Sequence, residues 1–169
     1  GIRDGVAIGG AVAAMQRAVV PVGTQADDTE AINQYQVAYN LSADSWCGFF
    51  GQNNNWYSGS NNTTYYLQDA WVAATYKNSY TELLSSWKEI RQESEKTGSM
   101  EVFALAQILK ISAWHKTLET FGPIPYTHAG EPALVIPFDS EKDAFNAMFA
   151  DLTAAIEILT ARVEQGATI

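Results

Sequence analysis

The sequence predicts an all-α fold built from antiparallel helices. Three observations support this prediction: long stretches repeat apolar residues at helical spacing, capping residues mark the ends of those stretches, and no convincing pair of β-strands can be traced. Helices of this kind bury their apolar faces against one another, often as consecutive pairs.

Composition and charge limit the kind of protein. The chain has 169 residues, of which 47% are hydrophobic, so a single domain or part of one is expected. A domain of about 150 residues buries about 70% of its surface, which is enough for a core. The net charge is −9, and no cluster of Lys or Arg offsets it. We therefore predict no binding to nucleic acid or to anionic membrane surfaces, because their phosphates would be repelled.

The first helical stretch, over residues 5–15, is rich in small residues. It is shorter than the roughly 20 apolar residues that cross a bilayer, and no basic segment precedes it as in a secretory signal. We therefore expect a helix that packs closely against others. Because the chain begins with Gly1 and not with Met, we expect any targeting segment to lie outside it.

The second stretch begins with the acidic residues Asp27, Asp28 and Glu30, which are typical of a helix cap and first turn. Apolar residues then recur at helical spacing as far as about Trp46, which predicts a helix. The acidic residues match no EF-hand spacing, so we interpret them as a solvated cap and not as a calcium site.

Two further helices follow. Helical spacing predicts the first over about residues 65–95, with Gly98 as the left-handed residue that caps it. The next, over residues 99–120, is apolar nearly all round and therefore belongs in the middle of a bundle. The tryptophans on these helical stripes are expected in the core: Trp71, Trp87 and Trp114.

A proline corner precedes the last helix. The sequence FGPIPY at residues 121–126 stops one helix and holds an extended segment, because proline breaks a helix and restricts its preceding residue. We interpret this corner as architecture, with Tyr126 able to hydrogen-bond into the bundle. Residues 139–141 then cap a helix that ends near Gly166. Its apolar stripe consists of Phe145, Met148, Phe149, Leu152, Ile156, Leu159 and Val163.

The order and spacing of several segments resemble the SusD/RagB family, most closely its SusD-like nutrient-binding outer-membrane lipoproteins. The resembling segments are NQYQ at 33–36, NLSAD at 40–44, AQILKI at 106–111, LETFGPIPY at 118–126, PFDSE at 137–141 and DLTAAIEIL at 151–159. No one of them is highly specific alone, but together they cover most of the chain.

The resemblance implies tetratricopeptide-like helix pairs with long loops, and it implies that residues 1–169 are a single partial domain from the N-terminal part of a longer protein. It also implies a lipid-anchored protein on the outer face of a Bacteroidetes-type outer membrane, with the signal segment and anchor outside this chain. The implied partner is a SusC-like TonB-dependent transporter. A nutrient, most often an oligosaccharide, would be delivered to it without chemistry, and the sequence leaves that nutrient open.

The loop at residues 48–64, GFFGQNNNWYSGSNNTT, has the chemistry to bind a sugar. Proteins hold a sugar by placing an aromatic ring against its apolar face and amides or carboxylates at its hydroxyls. We therefore predict ligand contacts in this loop and at the helix end before it. The predicted residues are Asp44, Asn53, Asn54, Asn55, Trp56 and Tyr57.

Other roles for these residues stay open. Trp56 and Tyr57 are alternatively plugs that fix the loop to the bundle, the asparagines then making turns, and Asp44 is equally a polar helix end. We interpret the remaining aromatic residues nearby as core residues or loop anchors: Trp46, Phe49 and Phe50. The alternative function is an α-helical scaffold whose aromatic loop docks a protein partner.

The sequence offers little support for catalysis. His115 and Glu119 are four apart on a helix, but a zinc site needs at least three protein ligands. His128 has no evident nucleophile partner, and neither a GxSxG turn nor a phosphate-binding glycine loop is found. Cys47, the only cysteine, is interpreted as a small buried hydrophobe. We therefore predict a non-enzymatic protein without a metal or cofactor.

Overall fold

A computed structural model describes residues 2–20 and 35–166. They form the α-helices α1 (Ile2–Val19), α2 (Asp69–Lys77), α3 (Leu84–Thr97), α4 (Met100–Phe121) and α5 (Glu141–Glu164). Two π-helical segments, π1 (Gln36–Asp44) and π2 (Asn78–Leu83), and two 3₁₀ turns, Trp56–Gly59 and Asn62–Thr64, complete the regular structure described. These residues contain one isolated β-bridge and no strand, so the predicted all-α class is confirmed.

Backbone contacts divide the chain into two compact units. The helical unit contains α1 and the chain from Thr81 onward. The loop unit runs from Val20 to Tyr80, and its description begins again at residue 35. The predicted ligand contacts all belong to the loop unit.

Helix α4 lies at the centre of the helical unit, in contact with α1, α3 and α5. Its all-round apolar pattern is explained by these three neighbours, as the sequence predicts. Trp114 and Leu118 on α4 are fully buried, as are Met15 of α1 and Ile90 of α3. Each such side chain contributes about 1.5–3 kcal/mol to folding through the removal of apolar surface from water.

Helix α1 confirms the prediction of a small-residue helix packed against others. Its buried residues recur at helical spacing on one face: Ile8, Ala11, Met15 and Val19. Gly9 and Gly10 are exposed, and a Cβ added to either would meet no atom within 4 Å. Close packing is therefore confined to one face and does not require these two glycines.

The predicted caps of α3 and α5 are confirmed. Gly98 follows α3 with φ +75°, and its N–H donates to the carbonyl of Ser94 at 2.8 Å. Only glycine adopts this left-handed conformation without steric cost. At the start of α5, the hydroxyl of Ser140 accepts the N–H of Asp143 at 3.1 Å, as an N-cap serine does.

The single helix predicted over about residues 65–95 starts later, at Asp69, and is divided into α2, π2 and α3. Tyr65 has φ +59°, a left-handed conformation in which a right-handed helix cannot continue. As a result, Leu67 does not lie on a helical stripe and is 62% exposed. The acidic cap predicted at residues 27–30 lies outside the described residues, whereas the described part of that predicted helix is helical over residues 35–46.

The proline corner is buried and tied to α5. Ile124 and Tyr126 are 0% and 3% exposed. The carboxylate of Asp139 accepts the N–H groups of Tyr126 and Thr127 at 2.8 and 2.7 Å, and the Asp139 N–H donates to the Ile124 carbonyl at 2.9 Å. The Tyr126 hydroxyl donates to Asp151 Oδ2 at 2.7 Å, so the predicted bond into the bundle is confirmed.

A buried lysine lies beside this corner. The Lys110 Nζ on α4 is 4.0 Å from the ring centroid of Trp87, 4.6 Å from that of Tyr126 and 5.6 Å from that of Trp114. Aromatic faces attract such a cation. Burial lowers the pKa of Lys110 to about 8, although the nearby Asp151 carboxylate opposes this shift.

Helix α5 packs mainly through one face. Met148 of the predicted stripe is buried, whereas Phe149, Ile156 and Val163 are 65%, 51% and 60% exposed. The stripe is only partly covered because α4 is the main helical neighbour of α5. By length and composition alone α5 would be long and apolar enough to cross a membrane, and one such helix among the described residues is weak evidence for a membrane span.

Candidate functional site

The aromatic loop, defined here as residues 45–68, connects π1 to α2. Over these 24 residues the sequence contains no Asp, Glu, Lys, Arg or His, and Asp44 and Asp69 flank the run. Aromatic rings, amides, hydroxyls and the thiol of Cys47 are therefore the functional groups that the loop offers. Such groups suit an uncharged polar ligand better than an ion.

One buried amide organises the loop. Asn61 is fully buried, and its Nδ2 donates to the Gln52 Oε1 and to the Trp56 carbonyl, each at 2.9 Å. Its Oδ1 accepts the N–H of Thr63 at 3.0 Å, and its carbonyl accepts the N–H of Tyr66 at 3.1 Å. A single side chain thus joins both halves of the aromatic loop.

Two further buried groups tie the loop unit together. Asn62, 1% exposed, donates from Nδ2 to the carbonyl of Leu41 in π1. The hydroxyl of Thr75 in α2 donates to the carbonyl of Ala38, also in π1. These bonds to π1 fix where the aromatic loop begins and ends.

The tryptophan stack, formed by Trp56, Tyr57 and Trp71, brings two rings of the loop against one ring of α2. Trp56 stacks on Trp71 with centroids 5.1 Å apart and planes at 27°. Tyr57 meets Trp71 edge-on at 5.4 Å and Trp56 at 5.2 Å. Trp71 is buried, but Trp56 and Tyr57 are 37% and 57% exposed, so parts of both outer rings face solvent.

The structure therefore places two predicted ligand contacts, Trp56 and Tyr57, in one cluster. It adds Trp71, which is buried as predicted but also supports the Trp56 ring. The predicted asparagines, Asn53, Asn54 and Asn55, are all exposed and precede the stack directly. The Asn55 carbonyl accepts the N–H of Ser58, which closes the turn that carries the two rings.

Asp44 lies at the end of π1. Its carboxylate accepts the Nδ2 of Asn40 at 2.8 Å, and its backbone carbonyl accepts the N–H groups of Phe49 and Phe50 at 3.0 and 3.4 Å. Asp44 thus has a structural role at the helix end, while its half-buried side chain borders the aromatic loop.

Three interpretations of residues near Asp44 are wrong. Phe49 and Phe50 are 81% and 53% exposed, so they are neither core residues nor anchors of the loop. Cys47 is exposed and not buried. After the helical residues 45 and 46 the chain forms a turn, in which the N–H groups of residues 49 and 50 both bond to the Asp44 carbonyl.

A second ring pair was not predicted from the sequence. Trp46, half-buried, lies 5.4 Å from Tyr65 between ring centroids, with planes at 55°, and Tyr65 is 69% exposed. The asparagines and threonines at residues 61–64, typical of turns, were the available signal that Tyr65 lies outside a helix.

The residues considered for catalysis have other partners. The Nδ1 of His115 donates to the Ile111 carbonyl at 2.9 Å. His128 Nδ1 lies 2.9 Å from Glu131 Oε1 on the surface, and this hydrogen bond raises the pKa of His128. Among the described residues, no group of three or more His, Cys, Asp or Glu side chains is arranged to hold a metal.

The helices and the loop together define an all-α protein that displays an uncharged aromatic surface. The chain belongs to the SusD-like family, described as Susd and RagB outer membrane lipoprotein, whose profile matches residues 2–169. No curated protein matches the chain.

Solved structures agree with this assignment. A chitin-binding SusD homologue from Flavobacterium johnsoniae is 30% identical, with a TM-score of 0.82 over 95% of this chain and 32% of its own length. SusD homologues from Bacteroides vulgatus and Bacteroides thetaiotaomicron, each 22% identical, share the fold with TM-scores of 0.79 and 0.75, over 94% and 95% of this chain and 31% of their own lengths. The chain thus spans about a third of these relatives, and the predicted tetratricopeptide-like arrangement is confirmed.

Proposed function

We propose that the protein binds an oligosaccharide at the cell surface without altering it and delivers it to a SusC-like TonB-dependent transporter. In this proposal residues 1–169 are a single partial domain, the N-terminal part of a lipid-anchored outer-membrane protein. The description of the family as outer membrane lipoproteins supports the location. The chitin-binding relative supports a glycan ligand, and family members are known as binding proteins, which supports a non-enzymatic role.

The tryptophan stack is the observation that carries this proposal. A ring that faces solvent normally costs free energy, yet Trp56 and Tyr57 remain partly exposed on a buried base, Trp71. The apolar C–H face of a sugar ring would cover these surfaces. Because the base is fixed, little conformational entropy would be lost on binding.

The amides beside the stack supply the polar half of the site. Asn53, Asn54 and Asn55 each carry both a donor and an acceptor, as a sugar hydroxyl requires. Their exposure leaves these groups available, and Asp44 lies at the end of π1, where the aromatic loop begins. Each net hydrogen bond would add only about 0.5–1.5 kcal/mol, so the rings would dominate affinity and the amides selectivity.

The test is affinity-gel retardation against neutral polysaccharides, with chitin first. The wild-type chain is compared with a Trp56→Ala, Tyr57→Asn double variant, since asparagine tolerates the left-handed backbone of residue 57. We expect retardation of the wild type and none of the double variant. Circular dichroism should show that both chains are equally helical, so that a loss of retardation is not a loss of fold.

The matched control is Phe149→Ala, which removes an exposed ring, 65% exposed, from the helical unit. It should bind like the wild type. Retardation that survives the double variant would contradict the proposed site, and a wild type that no polysaccharide retards would contradict glycan binding by this loop.

Docking of a protein partner is the second candidate, and the exposure of Phe49 and Phe50 favours it. Phenylalanine has no polar group to meet a sugar hydroxyl, and exposed apolar rings are typical of protein interfaces. A Phe49→Ser, Phe50→Ser variant should then lose co-purification with the transporter and keep sugar binding. Loss of sugar binding with unchanged co-purification would reject this candidate.

A further inference from the structure

The aromatic loop contributes to two ring clusters, and in each of them a tyrosine lies against a tryptophan of the loop. In the tryptophan stack, Tyr57 accompanies Trp56; in the second pair, Tyr65 lies 5.4 Å from Trp46. In both clusters the tyrosine is more than half exposed and lies against a more buried tryptophan. The second pair is therefore not a hydrophobic plug, because its outer ring is left in water.

Both tyrosines also share an unusual backbone. Among the described residues, the non-glycine residues with positive φ are Tyr57, Ser58 and Tyr65, at +51°, +52° and +59°. Bulky side chains rarely adopt this conformation, and such strain tends to persist at sites where function requires it. Hydrogen bonds hold each case: the Ser60 N–H donates to the Tyr57 carbonyl at 2.9 Å, and the Tyr65 N–H to the Asn62 carbonyl at 3.1 Å.

Asn61 connects the two clusters. Its side chain binds the Trp56 carbonyl, and its own carbonyl accepts the N–H of Tyr66, next to Tyr65. One buried residue thus bonds to the backbone of Trp56 and to the backbone beside Tyr65. A ligand that reached both exposed tyrosines would therefore not have to order this backbone on binding.

The absence of charge in the aromatic loop and the negative charge of the chain favour a neutral sugar. Residues 45–68 carry no charged side chain, acidic residues flank the run, and the net charge of the chain is −9. An anionic sugar would find no cation in the loop and would be repelled overall.

We propose that Trp46 and Tyr65 form a second sugar-binding surface, which takes a later unit of the same neutral glycan chain that the tryptophan stack holds. This inference rests on the proposed function. The loop then prefers long neutral glycans to disaccharides and to acidic glycans.

The test is calorimetric titration of the chain with chito-, malto- and xylo-oligosaccharides, each as disaccharide and hexasaccharide, and with an oligogalacturonate hexamer. For the series that binds, we expect the hexasaccharide to bind about tenfold more tightly than the disaccharide, the size of one added aromatic contact. The anionic hexamer should not bind.

Tyr65→Asn removes the ring, and asparagine still tolerates the positive φ of this position. The variant should bind the hexasaccharide no more tightly than the disaccharide, with the disaccharide affinity unchanged. Trp46→Leu should act in the same way. Tyr66→Asn is the matched control, because Tyr66 is an exposed neighbour outside both clusters, and it should keep the gain.

The outcomes separate two failures. If no wild-type oligosaccharide binding is seen, the proposed function and this inference both fall. If the wild type binds but Tyr65→Asn keeps the gain with length, or loses disaccharide affinity equally, the second surface is rejected and the first stands. Binding of the anionic hexamer at equal strength would reject the preference for neutral chains.

Discussion

The two units use tryptophan in opposite ways. In the helical unit, Trp114 is fully buried and Trp87 is 5% exposed, so their rings hold helices together. In the loop unit, buried Trp71 serves as the base for a ring that remains in solvent, Trp56. The same residue type therefore packs helices together in one unit and leaves a ring exposed in the other, where we propose a binding surface.

The largest expected effect tests this contrast directly. Trp114→Ala should lower the free energy of unfolding by about 3–5 kcal/mol, because a fully buried ring leaves a cavity. Trp56→Ala should cost less than half of that, since its ring is already partly exposed. Urea denaturation followed by circular dichroism measures both. Equal losses would mean that Trp56 belongs to a core.

Lys110 in the helical unit should make the stability of the protein depend on pH. Its pKa of about 8 in the folded state lies below the ordinary value of 10.5, so the unfolded chain binds more protons between these values. The cost of the buried charge is fully present below pH 8, and stability should rise between about pH 8 and 10.5, by up to about 3 kcal/mol from this group.

Lys110→Met provides the comparison. The groups around Lys110 stay the same in this variant: Asp151, Arg91 and Tyr126. The difference in unfolding free energy between the two proteins should therefore change from neutral to alkaline pH, with the wild type gaining relative to the variant. A constant difference would show that Lys110 does not titrate in this window.

Substitution of Asn61 tests whether its hydrogen bonds stabilise the aromatic loop. Asn61→Ala leaves Gln52 and the Trp56 carbonyl without their shared donor, which should cost about 1–3 kcal/mol locally. We expect the near-ultraviolet circular dichroism of the tryptophan stack to weaken. Asn53→Ala, at an exposed asparagine, is the control and should leave the spectrum unchanged.

The smallest effect concerns the proline corner. Burial opposes the ionisation of Asp139, but hydrogen bonds from Thr127 and Tyr126 outweigh it and lower the Asp139 pKa. The stabilisation is therefore present above the ordinary value of 3.8 and is lost as the pH falls through the lower folded-state pKa. Asp139→Asn should cost about 1 kcal/mol at neutral pH, because it weakens charge-assisted bonds.

Thermal unfolding at a series of pH values measures this effect. The wild type and Asp139→Asn should converge only in acid, as the pH falls below 3.8 and through the lower folded-state pKa at which the carboxylate takes up its proton. A difference in thermal stability between the two proteins that stays constant down to the most acidic sample would show that the charge of Asp139 does not contribute.

The helical unit was predictable because its signals are local. The apolar pattern of α4, the glycine after α3 and the serine before α5 each lie within a few residues of the structure that they determine. The aromatic loop depends on distant partners: Trp56 on Trp71, and Gln52 on Asn61. Periodicity contains no information about such pairs, so the rings were found but their arrangement was not.

The dependence of the loop on one buried amide also bears on affinity. Because Asn61 joins residues from both ends of the loop, breaking its bonds should release the whole segment at once, as a single cooperative opening seen in amide hydrogen exchange. Only the ordered population would bind, and the apparent dissociation constant would scale inversely with that population. Residues that never touch a ligand would then set how tightly it is held.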